Sequence, residues 1–274
     1  MNKKYLNPYT DFGFKKLFGE EGSKDLLIDF LNQLLPDYHQ ISFLQFKNTE
    51  SLSDTFSERK AIFDIYCQSS TGDKFIVEMQ KAKLKYFKDR SLFYVSFPIR
   101  EQAEKGDWNF KLLPVYFIAI LDFEYDEQEI RKFRRDVCLK DQDGDIFYDK
   151  LHFKFLQMPL FNKTETELET HFDKWLYFLK HLESFNAIPS ILNEPIFKKG
   201  FEIAELSHLP SEQYQQYKKS LLQYLEVKNV TDTAFEEGKF EGKIEIAKAL
   251  KSENLPIEFI IKMTGFSEKE IINL

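Results

Sequence analysis

Apolar positions along this chain switch between helical and strand periods, and the switches mark out its elements. In KDLLIDFLNQLL, residues Leu26, Leu27, Phe30, Leu31, Leu34 and Leu35 recur at helical spacing until Pro36 ends the run. TDFGFKKLFG predicts a shorter helix before it, closed by a Gly-containing break. ISFLQFKNTESL carries a mixed signal, a strand running into a polar loop. RKAIFDIYCQ and KFIVEMQ read as two strands, joined through the turn-forming SSTGD. YFKDRSLFYVSFPIREQAEKGD predicts a helix with Pro98 as a kink or early break and an end near Gly106. PVYFIAILDF is continuously apolar and β-branched, the pattern of a buried central strand. LHFKFLQMPLF gives one more strand, and TELETHFDKWLYFLKHLESF an amphipathic helix opening on Thr and Glu.

This order predicts an α/β fold, one mixed sheet with flanking helices, over residues 1–185. Residues 186–274 change character to helical segments rich in Glu and Lys, a helical C-terminal extension. Its end, LPIEFIIKMTGFSEKEIINL, reads as two helices about a Thr-Gly-Phe turn. Two readings stand: a small helix-turn-helix that adds DNA affinity, or a packing hairpin that supports a homodimer.

Composition narrows the setting. With 274 residues, 43% hydrophobic content and 29 phenylalanines, the chain has ample material for a packed core. Cys67 and Cys138 form neither a disulfide framework nor a metal-ligand pattern, which suits a reducing cytoplasm. No apolar run is long enough to cross a bilayer, and the opening MNKKYLNPYTDFGFKK lacks a signal-peptide core, so neither a membrane partner nor export is expected. The net charge of −7 argues against a broadly basic nucleic-acid coat but leaves room for a local groove. RKFRRD, with Arg131, Lys132, Arg134 and Arg135, is the densest basic cluster. It contacts DNA phosphates nonspecifically, or it is a solvated helix face neutralised by the neighbouring EYDEQE.

The candidate chemistry sits on the two strands before the first long helix. Alternation places Ile62, Asp64 and Tyr66 on one face, with Phe63, Ile65 and Cys67 opposite; on the next strand Ile76, Glu78 and Gln80 share a face. A hairpin would bring Asp64 and Glu78 to the same side, where two carboxylates repel unless a cation, proton or basic group intervenes. A solvent-facing strand would leave them ordinary surface charges. The large apolar residues flanking both acids favour depth, and hard oxygen donors suit Mg²⁺ with water completing its shell.

Several motifs in order, NPYTDFGFKKLFG, ERKAIFDIYC, FIVEMQ, RSLFY and LLPVYFIAILDF, together resemble the PD-(D/E)XK nuclease family transposases, which are related to recombination-promoting nucleases. The resemblance covers about the first two-thirds of the chain, and EGKIEIAKAL and TGFSEKEI also look like that group's tail. It implies a restriction-endonuclease-like core and a metal-dependent endonuclease that hydrolyses DNA phosphodiesters in transposition or recombination, using Mg²⁺ or Mn²⁺. By that likeness Asp64 and Glu78 match metal ligands, and Gln80 stands where the superfamily most often has Lys. Gln can hydrogen-bond but not neutralise charge, which leaves the cationic role open. Lys83, just beyond the strand, and Arg90, on the following helix, are the candidates; Lys81 points to the opposite strand face. Tyr94 and Gln102 on that helix, Glu50 in NTESL and Asp11 in TDFGF are candidate supporting groups. Asp11 has a plainer reading as a helix cap. The alternative for the whole chain is a nuclease fold kept as an inert module that binds nucleic acid or a protein.

Overall fold

The computed structural model describes residues 3–48, 62–103, 106–125 and 130–274. Glu50, the start of RKAIF and the DEQE of the acidic stretch lie outside the described residues. The order begins with helices α1 (Asp11–Phe18) and α2 (Lys24–Asn32), then strands β1 (Leu44–Phe46), β2 (Ile65–Ser69) and β3 (Lys74–Gln80). Helix α3 (Phe87–Arg100) leads to β4 (Val115–Leu121), β5 (Arg134–Lys140) and β6 (Ile146–Gln157). Five helices follow: α4 (His171–His181), α5 (Pro195–Ala204), α6 (Ser211–Ser252), α7 (Ile257–Thr264) and α8 (Glu268–Asn273).

The six strands form one mixed sheet in the order β1-β2-β3-β4-β6-β5. β1, β2 and β3 pair antiparallel, β3, β4 and β6 run parallel, and β5 closes the edge antiparallel to β6. Every residue of β4 is buried, as expected of an apolar strand covered on both faces. One face, with Ile65, Cys67, Phe75, Val77 and Met79, packs under α1, α2, α4 and α5 in a core that includes Phe18, Phe30, Trp175 and Phe178. The other carries Tyr66, Ile76, Phe117 and Phe155 and is covered by α3 through Phe87, Tyr94 and Val95.

The mixed α/β architecture matches the sequence expectation, and four details differ. The strand begins at Ile65, with a bend at Asp64; that bend breaks the alternation and sends Phe63 to the α3 face with Tyr66, not to the face of Ile65 and Cys67. Helix α3 contains Pro98 but stops at Arg100, short of Gly106. RKFRRD is not a helix face. Arg134 opens an edge strand whose charged, half-exposed side chains hide its period. Finally, α4 starts at Thr170, which with Asp173 forms a capping box, because the earlier Thr164–Glu167 box closes only a 3₁₀ turn.

Two compact units divide at Tyr224/Leu225, within α6. Helix α5, which packs against α1 and α2, and the first part of α6 fall within the first unit. The amide of Leu6 donates to Ala204 O at 2.9 Å, and that of Asn7 to Tyr217 Oη at 3.0 Å. In the second unit, Ala247, Ile260, Phe266 and Ile271 form a small core. There Gly265 takes the left-handed conformation, φ 75°, that ends α7, and Ser267 with Glu270 caps α8.

Candidate active site

The β2–β3 register pairs Ile65 with Val77, so the next step along the hairpin sets Asp64 against Glu78. The backbone bend lets each residue serve the other. The Asp64 amide donates to Glu78 Oε1 at 3.1 Å, and Asp64 Oδ2 accepts from the Met79 amide at 2.8 Å. Glu78 Oε2 accepts from Gln80 Nε2 at 2.9 Å, as expected for residues two apart on one strand face. Asp64 is half-buried, whereas Glu78 is 1% exposed.

Both acids resist ionisation. Burial pushes Asp64 up, opposed by the Met79 amide, with Asp11 adding to the rise and Lys15 and Lys81 easing it. Burial, then the charge of Asp64, pushes Glu78 up to about 8, against the pull of the Asp64 amide, Arg90 and Gln80. Among the described residues each carboxylate accepts from neutral N–H donors, and neither forms an ion pair. The donor set fits a hard divalent ion: two converging carboxylates that repel each other, with room in such an ion's shell for several waters.

Arg90 reaches the same place from α3. Its Nη2 donates to Tyr94 Oη at 2.6 Å and its guanidinium carbon lies 4.8 Å from that ring's centre. Burial chiefly raises the Tyr94 hydroxyl, Arg90 lowers it, and Glu78 and Asp64 raise it, which places this pair within electrostatic reach of the carboxylates. Phe63, turned inward by the bend at Asp64, holds the Tyr94 ring edge-on at 5.3 Å.

The remaining candidates divide. Asp11 is the first residue of α1, Thr10 being the cap, and it pairs with Lys15 at 2.9 Å. Both act on Asp64. Lys15 was not singled out by the sequence, although its i+4 spacing from Asp11 puts the two on one helix face. Lys83 is exposed in the connection between β3 and α3, and the lysines that act most on Asp64 are Lys15 and Lys81. Lys81 is half-buried and follows the end of β3 at Gln80, so strand alternation does not fix its direction.

Gln102 is not brought to the site. Its amide donates to Pro98 O at 3.1 Å and its carbonyl accepts from Leu113 N at 2.7 Å, just before β4 begins. That is the opposite end of the sheet from Gln80, which pairs with Leu121 at the end of β4. In the basic cluster, Arg131 bonds Glu124 at 2.9 Å, Arg134 bonds Asp136 at 2.9 Å, and Arg135 donates to Ile130 O. Lys132 is exposed. The cluster borders edge strand β5, three strands from β3, or about 14 Å across the sheet.

A family model described as PD-(D/E)XK nuclease family transposase matches residues 8–234. The chain belongs to this family. The match takes in α1, the whole sheet and the first part of α6, so the carboxylate hairpin lies inside it. No curated protein and no solved structure matches the chain. Family membership gives a nuclease- and transposition-related setting, in which divalent metal ions are the general rule. Among the described residues, no group of three or more His, Cys, Asp or Glu side chains is assembled for a metal, and no helix is long and apolar enough to cross a membrane.

Proposed function

We propose that this transposase-family chain is a metal-dependent DNA endonuclease that hydrolyses phosphodiester bonds at Asp64 and Glu78, with Mg²⁺ as its ion and Mn²⁺ as a substitute. The observation that carries the reading is the pair itself: the buried Glu78 and half-buried Asp64 carboxylates, opposed across the hairpin and held by amides, both pushed upward and neither neutralised by an ion pair among the described residues. Such an arrangement costs stability without a cation, and a carboxylate pair of this kind is what a hard divalent ion takes.

Asp64 and Glu78 would hold the ion, which when bound polarises the scissile phosphate and acidifies an attacking water. The residues of the chain do the rest. The Met79 amide fixes the Asp64 carboxylate, and Gln80 fixes that of Glu78, so neither needs to reorganise during the reaction. Arg90, oriented by Tyr94, supplies the positive charge that Gln80 lacks, where it can meet a phosphate oxygen. The Asp11–Lys15 pair on α1 sets two opposed charges beside Asp64, the acid raising its pKa and the base lowering it.

Nicking of supercoiled plasmid with Mg²⁺ tests this, comparing wild type with Asp64→Asn. Loss of nicking in the variant supports the reading, and equal activity in both removes it. A second reading, an inert nuclease-fold module, is favoured by one observation: the Gln80 amide is already spent on Glu78 and carries no charge. Titration calorimetry separates the two, because a folded chain that takes up no Mg²⁺ or Mn²⁺ fits only the inert module.

A further inference from the structure

A groove of about 460 Å³ runs between α1 and the first turns of α6, lined by Lys15, Lys16, Gln216, Lys219, Ser220 and Gln223, with Asp11 and Glu20 at its sides. Its walls are tied together. The Phe12 amide donates to Ser220 Oγ at 3.1 Å, Phe12 rests on the Tyr217 ring at 6.0 Å, and Lys16 donates to Gln213 at 3.1 Å. On α6, Gln216, Lys219 and Gln223 follow at spacings of three and four, one helix face. They present amide and ammonium donors along about 10 Å of helix, roughly three base steps of a duplex.

Two connections place this groove beside the carboxylate pair. Asp11 and Lys15, on its α1 wall, act electrostatically on Asp64. On the α6 side, Tyr224 donates to Asp122 at 2.7 Å, and the Asp122 amide donates to the carbonyl of Gln80 at 3.0 Å. Both walls therefore stand at the ends of β3 and β4, where α/β sheets bind ligands.

The charges suit a polyanion. Three lysines line the groove against two carboxylates in a chain whose net charge is −7. Lys16 is engaged by Glu20 at 3.0 Å and Lys15 by Asp11 at 2.9 Å, while Lys219 is exposed and has no ion-pair partner among the described residues.

We infer that the α1–α6 groove binds the DNA sugar–phosphate backbone flanking the cleaved bond, through Lys15, Lys219, Gln216 and Gln223. The assignment rests on the nuclease reading for its substrate, but not on turnover. It is tested on the full chain in EDTA, where cleavage is blocked, by fluorescence anisotropy with a labelled duplex of about 20 base pairs across a KCl series. Lys15→Gln and Lys219→Gln are each expected to weaken binding about 3- to 10-fold and to reduce the salt slope by about one, the double variant by about two. Lys219→Arg keeps the wild-type slope, as does Lys111→Gln, an exposed lysine before the opposite end of β4. Absence of binding by the wild type, or unchanged affinity and slope in the double variant, overturns the assignment. Failure of the nuclease reading looks different: Mg²⁺ produces no nicking, while the salt slopes still respond to Lys15 and Lys219.

Discussion

Asp64 and Glu78 are locked to each other through the backbone, not through a shared base: the Asp64 amide donates to Glu78 Oε1 at 3.1 Å, and Asp64 Oδ2 takes the next amide, Met79, at 2.8 Å. The bend that makes this exchange possible also turns Phe63 onto Tyr94, and Tyr94 aims Arg90. A break of one residue in strand alternation thus builds both the acidic and the basic side of the site.

The pair should leave a signature in stability. Glu78 titrates near 8 in the folded chain, against an ordinary value of 4.5. The folded state keeps a proton that the unfolded state has lost, so the contribution of Glu78 is greatest below about pH 4.5 and declines as pH rises toward 8. Urea denaturation should show wild type losing stability across that window. Glu78→Gln should remove most of the decline, worth on the order of a few kcal/mol at the alkaline end.

Ion binding should then be linked to protons. A divalent ion must displace the proton that Glu78 holds at neutral pH, so Mg²⁺ or Mn²⁺ affinity is expected to rise from acid pH up to about 8 and level off above it. Calorimetry in buffers of different ionisation enthalpy should detect net proton release near pH 7. A wild type that binds the ion with no release would contradict the assigned state of Glu78.

How far the sequence made this visible depends on the element. The β2–β3 hairpin follows from strand periodicity and a turn-forming SSTGD, because both signals are local, whereas the bend at Asp64 departs from that period and could not be read from it. The buried β4 was equally plain. Lys15 was hidden because its nearness to Asp64 depends on how α1 docks, a long-range contact with no sequence period. Gln102 looked available from helical spacing, yet it bonds the chain before β4, at the wrong end of the sheet. β5 was missed since an edge strand with Arg134, Arg135 and Asp136 lacks the alternation that burial imposes.

Removing the guanidinium of Arg90 should act on catalysis and titration together. Arg90→Ala is expected to lower Mg²⁺-dependent nicking about 10- to 100-fold and to raise the Glu78 titration further, since Arg90 now pulls it down. Tyr94→Phe keeps the ring under Arg90 but deletes the 2.6 Å bond, and should cost less. Nicking rates of the two variants across pH check this: a purely structural Arg90 would leave the profile unmoved.

Gly13 in the TDFGF motif supports the site from behind. A Cβ there would lie 2.2 Å from Asn7 O and 2.7 Å from Thr10 Oγ1, the atom that caps α1. Gly13→Ala must shift this first turn, and with it Asp11 and Lys15. The expected loss is about 1–3 kcal/mol in urea denaturation, accompanied by weaker nicking; an unchanged midpoint would mean that the turn relaxes freely.

Gln80 offers the sharpest test of how this chain handles charge. Its Nε2 lies 2.9 Å from Glu78 Oε2, so a lysine at this position would bring an ammonium close to the same oxygen. An adjacent cation favours the ionised acid, and Gln80→Lys should therefore lower the Glu78 titration and flatten the loss of stability between about pH 4.5 and 8. Wild type and variant should converge in acid and separate in alkali, with the variant the more stable. If the two curves decline in parallel, the ammonium does not reach Glu78, and the cationic role remains with Arg90 and the lysines beside Asp64.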